Sequence, residues 1–325
     1  MKKSVTGWSA AILIGLLWGI PWVVGTPILK VVDAQMLVWV QYTIAFITLG
    51  IIYNVGLATG RLKKKADFKL TWSNRSDIFW TASCGIIGQA AFSYLSYFSL
   101  KYISASENGV IQGLIPILIL TVGFLCYNAR FTVLQILAAI GAFMGVAILI
   151  TDNKAGSGGL NIGTLLCFAS AASFASLAYA RAKLAEKYGS VATMFHQFIF
   201  ASIGLGLILL FSGADFTTIT NIFTSPLRII CICILAIGIS GLSYLLYIYA
   251  METVGVDGTG MALNLMPLSS FILAVIALGE HVTAMRLIGV ATVIFSMMIF
   301  MKFKYKGSNK SSEIKAMNLS MNNGN

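Results

Sequence analysis

The chain of 325 residues is 58% hydrophobic and only 10% charged, with a mean hydropathy of +0.87. Soluble domains are about a quarter charged, so this chain lacks the side chains to cover itself with a water-facing surface, and a soluble globular fold is excluded. The net charge of +11 invites a nucleic-acid reading, but the basic residues are scattered over short polar segments between apolar runs.

Taken in chain order, ten apolar runs approach the roughly 20 residues that a bilayer crossing needs. They cover about 8–29, 35–58, 78–99, 106–127, 132–151, 161–180, 191–212, 228–250, 258–279 and 285–303. The basic start Met1-Lys2-Lys3 leads into an apolar run that continues to about Ile28 without an A-x-A-like site, and reads as a retained first helix. The connections are short, the longest being about 59–77 and 213–227, and the tail 304–325 is polar and predicted to be disordered. The fold class predicted is an all-α membrane protein of ten transmembrane helices.

With the amino terminus in the cytoplasm and ten alternating spans, 17 Lys and Arg fall on the cytoplasmic side and 5 outside, namely Lys30, Lys101, Lys154, Arg228 and Arg286. This is the asymmetry of the positive-inside rule. It accounts for the positive charge without nucleic acid and places both termini inside a plasma membrane of the bacterial inner type.

Two stretches match each other. Tyr94 and Tyr97, then Gln112 to Pro116, then Thr132 parallel Tyr244 and Tyr247, then Asn264 to Pro267, then Thr283. Each proline precedes its threonine by 16 residues. The stretches lie in spans three to five and eight to ten, so the predicted units are 8–151 and 161–303, five spans each. Five is odd, so the second unit enters the membrane from the opposite face. Such inverted repeats are a transporter signature.

Three segments carry a family resemblance: Leu16-Leu17-Trp18-Gly19, the run ending Leu263-Asn264-Leu265-Met266-Pro267, and Leu278-Gly279-Glu280-His281-Val282-Thr283 followed by Gly289. In their order and spacing the chain resembles the EamA-like branch of the drug/metabolite transporter superfamily, over about residues 8–303. The resemblance implies a ten-helix bundle with a central cavity and transport of metabolites, often export of amino acids, without an ATP site. Two departures stand out. Asn128-Ala129-Arg130 occupies the place of the Gly-Glu pair in the first half, and Gly25-Thr26-Pro27 the place of a basic residue after the first Trp-Gly. The second departure argues against a strongly anionic solute.

Polar groups inside spans usually face the bundle interior or a wet cavity. Gln89, Ser93, Ser96 and Tyr97 share one helical face, as do Asn108, Gln112 and Pro116, and Ser240, Ser243, Tyr244 and Tyr247. Of these, Gln89, Ser93, Tyr97, Gln112, Tyr244 and Tyr247 are the predicted substrate-binding positions, together with Asn264 and with Trp18, Trp22, Tyr94 and Tyr179 as aromatic members. Such a wall suits an amphipathic or aromatic solute; the alternative for any one of them is interhelical hydrogen bonding or, near span ends, interfacial anchoring. Pro116 and Pro267 occupy matching places in the two halves, and paired helix interruptions point to a site or gate. Among titratable groups, only Glu107 and His196 stand where proton coupling could occur.

The five cysteines lack disulfide-framework or metal-site spacing, and no metal or other cofactor is predicted. No H-E-x-x-H, G-x-S-x-G or P-loop pattern is present. The sequence therefore predicts a carrier rather than an enzyme, working on a small solute in a lipid bilayer as exporter or exchanger. A non-transporting membrane interaction protein and an intramembrane enzyme remain alternatives, and oligomeric state is open.

Overall fold

The computed structural model describes residues 2–59, 74–127, 132–150, 161–244, 246–247, 249–250, 253, 262–263, 265–300 and 302. Among them every regular element is helical. Six helices are long and apolar enough to cross a membrane: Val5–Leu29, Ala34–Gly56, Arg75–Ser99, Ala105–Cys126, Ile162–Tyr188 and Val191–Phe211. A further apolar pair, Phe216–Phe223 and Pro226–Leu242, is bent by 103°, the geometry of a broken span or a re-entrant loop. Val133–Ile148, Leu265–Leu278 and Ala284–Phe300 are shorter apolar helices. The helix predicted over 161–180 runs on to Tyr188 and stops at Gly189, whose φ of 82° favours a residue without a Cβ. Asn264 and the tail 304–325 lie outside the described residues.

The interior is apolar, but so is much of the outer surface, and several amides are fully buried. Phe211, Ile276, Val133, Leu125 and Phe295 are largely exposed, while Gln89, Asn108, Gln112 and Gln197 are at most 1% exposed. Such an exposed apolar belt needs lipid as its solvent.

Several helices are interrupted where the sequence forces it. Pro21 has no N–H for the Leu17 carbonyl, which accepts from Ile20 N at 3.1 Å instead; helix α1 (Lys2–Leu17) ends there and α2 (Pro21–Leu29) begins. Pro116 likewise offers no donor to the Gln112 carbonyl, and α3 (Ala105–Gln112) gives way to α4 (Ile115–Tyr127). Pro267 does the same to Leu263, whose carbonyl takes Met266 N at 3.0 Å at the start of α5 (Leu265–Leu278).

These breaks meet. A Cβ on Gly113 would lie 2.4 Å from Pro267 Cγ, one on Gly109 2.0 Å from Ser270 Oγ, and one on Gly19 2.0 Å from Ser269 Oγ. The glycines let the break after α1, and α3 with the break that follows it, press backbone-close against α5, the small-residue packing that apolar helices use in lipid. A second regularity is helical widening. Ile86–Ala91 and Ile234–Leu242 are π-helical, and each directly precedes a tyrosine pair, Tyr94 and Tyr97 or Tyr244 and Tyr247.

Candidate functional site

A central cavity of ≈ 180 Å³ opens between these helices. Its wall is built from Trp18, Pro21 and Trp22; Gln41 and Tyr42; Gln89, Phe92, Ser93, Ser96 and Tyr97; Ile115, Pro116 and Ile119; Phe174; Ile239, Ser240, Tyr244 and Tyr247; and Leu263 and Met266. Of the predicted binding positions, Trp18, Trp22, Gln89, Ser93, Tyr97, Tyr244 and Tyr247 face it, as does Pro116 of the proline pair.

The aromatic part is a cluster. Trp18 lies 5.4 Å from Tyr244 and 5.1 Å from Tyr247 between ring centroids, within the range where aromatic pairs attract beyond their area. Its indole N–H donates to Ser243 Oγ at 2.9 Å, and Trp22 Nε1 donates to Ser96 Oγ at 2.6 Å. Behind the cavity the polar groups tie helices together. Ser96 Oγ also accepts from Gln112 Nε2 at 3.2 Å and donates to Asn108 Oδ1 at 3.0 Å, so one donor and both lone pairs of the hydroxyl are used. Tyr42 and Ser93 share a 2.5 Å hydroxyl contact, Gln89 Nε2 donates to Tyr244 OH at 3.2 Å, and Gln41 Nε2 donates to Ser240 Oγ at 2.9 Å. Gln41 Oε1 is buried with no hydrogen-bond partner among the described residues, and the Gln41 amide also neighbours the Tyr97 hydroxyl, which leaves a solute one polar atom to address.

The other predicted positions lie off this wall. Gln112 is wholly buried behind it, donating to Ser170 Oγ at 3.0 Å as well as to Ser96. Tyr94 stacks on Phe98 at 5.7 Å. Tyr179 packs against Gly123, where a Cβ would lie 2.1 Å from its hydroxyl, and borders a separate groove with Asp77, Trp80 and Lys187. His196 is buried with Nδ1 2.9 Å from Ala192 O, and its ring meets Phe195 edge-on at 4.7 Å. Pro267 lies against Gly113.

Glu107 belongs to a closure at one end of the bundle. Ser104 caps α3 in a capping box with Glu107, whose Oε2 accepts from Ser104 N at 2.8 Å. Glu280, from beyond α5, reaches the same helix end. Its Oε1 accepts from Ala105 N at 2.8 Å and Ser106 N at 3.4 Å, and its Oε2 accepts from Ser106 Oγ. A carboxylate there meets the orphan N–H groups and the positive end of the helix dipole. Arg286, almost fully buried, bridges Glu280 at 3.4 Å and Glu107 at 3.8 Å. Beside this cluster is a second pocket, lined by Thr26, Lys30, Lys101 and Glu280 among others. Tyr97 borders both pockets, so its ring partitions the central cavity from this end.

Sequence reasoning missed Gln41, Tyr42, Phe92 and Phe174 in the wall. It also placed Arg181 on the cytoplasmic surface, whereas the guanidinium is buried and stacks 4.2 Å from the Phe174 centroid. The helix continues through Ala178–Tyr188, which carries Arg181 to its inner face.

The profile of the EamA-like transporter family matches residues 5–151 and again 161–302. The chain belongs to the EamA-like transporter family. It is a multi-pass membrane protein with two EamA repeats, and transport is the activity of its family. The chain is also 24% identical over 218 residues to the uncharacterized transporter YyaM of Bacillus subtilis (strain 168), covering 66% of this chain and 70% of that protein. A solved crystal structure resembles it with a TM-score of 0.59 at 20% identity, over 92% of this chain and 95% of that one; this likeness concerns the fold.

Proposed function

We propose that this EamA-like protein is a carrier for a small metabolite, an amino acid, amine or related solute of uncharged to zwitterionic form. It exports or exchanges that solute by alternating access between two inverted five-helix repeats, 8–151 and 161–303, with a cytoplasmic tail 304–325. The observation that carries the reading is the central cavity. Its wall draws on both repeats and offers aromatic rings beside amide and hydroxyl groups. One end is shut by Glu280 of one repeat capping a helix of the other. On this reading the Glu107 end is the outer face of a bacterial-type inner membrane and both termini are cytoplasmic, as the distribution of Lys and Arg supports. The matched π-segments, each ahead of a tyrosine pair, support the repeat assignment. Binding and release at such a wall need no bond chemistry, so the protein acts as a carrier and not as an enzyme.

The test is flux in proteoliposomes loaded with amino acids, amines, sugars and nucleotides, with and without a pH gradient. Saturable movement of one solute class is expected, with KM raised or the rate lowered at least tenfold by Trp18→Ala, since truncating a buried aromatic anchor typically costs ~2 kcal/mol or more. Folded protein that moves nothing on the panel would overturn the reading and shift weight to an interaction protein or an intramembrane enzyme.

A further inference from the structure

Arg181 is only 8% exposed. A buried charge in a membrane chain is costly unless it is paired or serves the solute path. Among the described residues no carboxylate lies within ion-pair distance of it. The ion pairs there are Lys101 with Asp33, Lys187 with Asp77, and Arg286 with Glu107 and Glu280. Its hydrogen bonds go to neutral oxygens: Nε donates to Gln197 Oε1 and Nη2 to Gly88 O, both at 3.3 Å. A guanidinium has five N–H donors; these two bonds and the Phe174 ring are its partners, and its charge meets no counter-ion among the described residues.

The guanidinium sits one side chain behind the cavity wall. Phe174, against which it stacks, lines the cavity, and Gly88 directly precedes the wall residue Gln89. Gln197 precedes Phe198, whose ring lies 4.9 Å from Tyr42 and 5.8 Å from Tyr244, both in the wall. The Gly88 carbonyl lies in the π-segment Ile86–Ala91; a neutral amide donor would satisfy it as well, so that bond does not account for a cation. Arg, with its planar fork, is the side chain suited to a carboxylate in a dry site.

We propose that Arg181 is the anion-recognising residue of the carrier, and that the solute bears a carboxylate which pairs with this guanidinium as Phe174 turns aside. The inference rests on the transport reading above and narrows its substrate class. The Trp18, Tyr244 and Tyr247 rings take the apolar remainder of the solute. Gln41 Oε1, which lacks a partner among the described residues, accepts from its ammonium.

The test uses matched pairs in proteoliposomes: phenylalanine, tryptophan and leucine, each against its own amide, which lacks the carboxylate charge. Wild-type protein is compared with Arg181→Gln and Arg181→Lys. In the wild type at least one acid is moved in preference to its amide. Arg181→Gln reduces flux of that acid about tenfold or more, as expected for loss of a charge-assisted pair, while flux of the amide is kept or raised. Arg181→Lys restores part of the acid flux. Amide flux doubles as the check that the variant is folded. Equal loss of acid and amide in both variants would overturn the proposal in favour of a structural role at the π-segment, as would unchanged acid flux or a wild type that prefers the amides. A wild type that moves neither member of any pair, nor anything else on the wider panel, would instead sink the transport reading, and this inference with it.

Discussion

Glu280→Gln tests the closure at the Glu107 end. The substitution keeps size and shape and removes one charge. Four donors converge on this carboxylate: Ala105 N at 2.8 Å, Ser106 N at 3.4 Å, Ser106 Oγ, and Arg286 Nη1 at 3.4 Å. The amide oxygen can still accept from Ala105 N, but its NH2 group must then confront Ser106 Oγ or Arg286. The loss is at least one charge-assisted hydrogen bond, about 2 kcal/mol. Because Glu280 joins one repeat to the other, that energy belongs to the closed arrangement and shifts its ratio to the open one by about 30-fold. The assay places a single cysteine at Thr26, in the pocket beside the cluster, in a chain cleared of its five native cysteines. Labelling by a membrane-impermeant thiol reagent added outside is then timed. Glu280→Gln should speed labelling by about tenfold or more, given a population shift of that size. Folded protein with an unchanged labelling rate would refute the view that this cluster holds the end shut.

Three further outcomes follow from the geometry. Gly19→Ala should lower thermal stability by about 1–3 kcal/mol through overpacking, because its Cβ would lie 2.0 Å from Ser269 Oγ; Gly238→Ala, with nothing within 4 Å of the added Cβ, should not, and equal melting temperatures for the two would contradict the packing. Trp22→Phe removes the donor to Ser96 Oγ and should cost about 1 kcal/mol, read in a melting curve, with Ser96 still held by Asn108 and Gln112. His196→Gln should leave the response of flux to a pH gradient unchanged, because the ring lies away from the wall against Phe195 and Ala192; abolished gradient dependence would make it a coupling group.

The helical architecture and part of the cavity were legible because a polar side chain inside an apolar run has few places to go. Gln89, Ser93 and Tyr97, marked by spacing alone, do share one wall. The same rule brought in Gln112, which is equally polar and buried but spends its amide N–H groups on Ser96 and Ser170; periodicity fixes a face, not the depth behind it. Phe92, Phe174, Ile115 and Ile119 carry no such mark, since an apolar residue among apolar residues looks the same whether it meets lipid or solute. Arg181 was misplaced because its neighbours Lys183, Glu186 and Lys187 read as a cytoplasmic connection. The one signal available was that a helix continued to Tyr188 would carry position 181 to the face that packs inward.

The two π-segments have a mechanical consequence. A wide turn is a local surplus of one residue in the winding, and it moves along a helix by passing a hydrogen bond from one carbonyl to the next, with no ends to unravel. Each single-residue step re-indexes only the residue it passes, by about 100°, one residue's share of a 3.6-residue turn, and leaves the helix beyond it in place. Beyond Ile86–Ala91 stand Tyr94 and Tyr97, and beyond Ile234–Leu242 stand Tyr244 and Tyr247. A surplus that travelled from Ile86–Ala91 past Tyr97 would re-index that ring, which borders both pockets, while one that stopped short would leave it where it is.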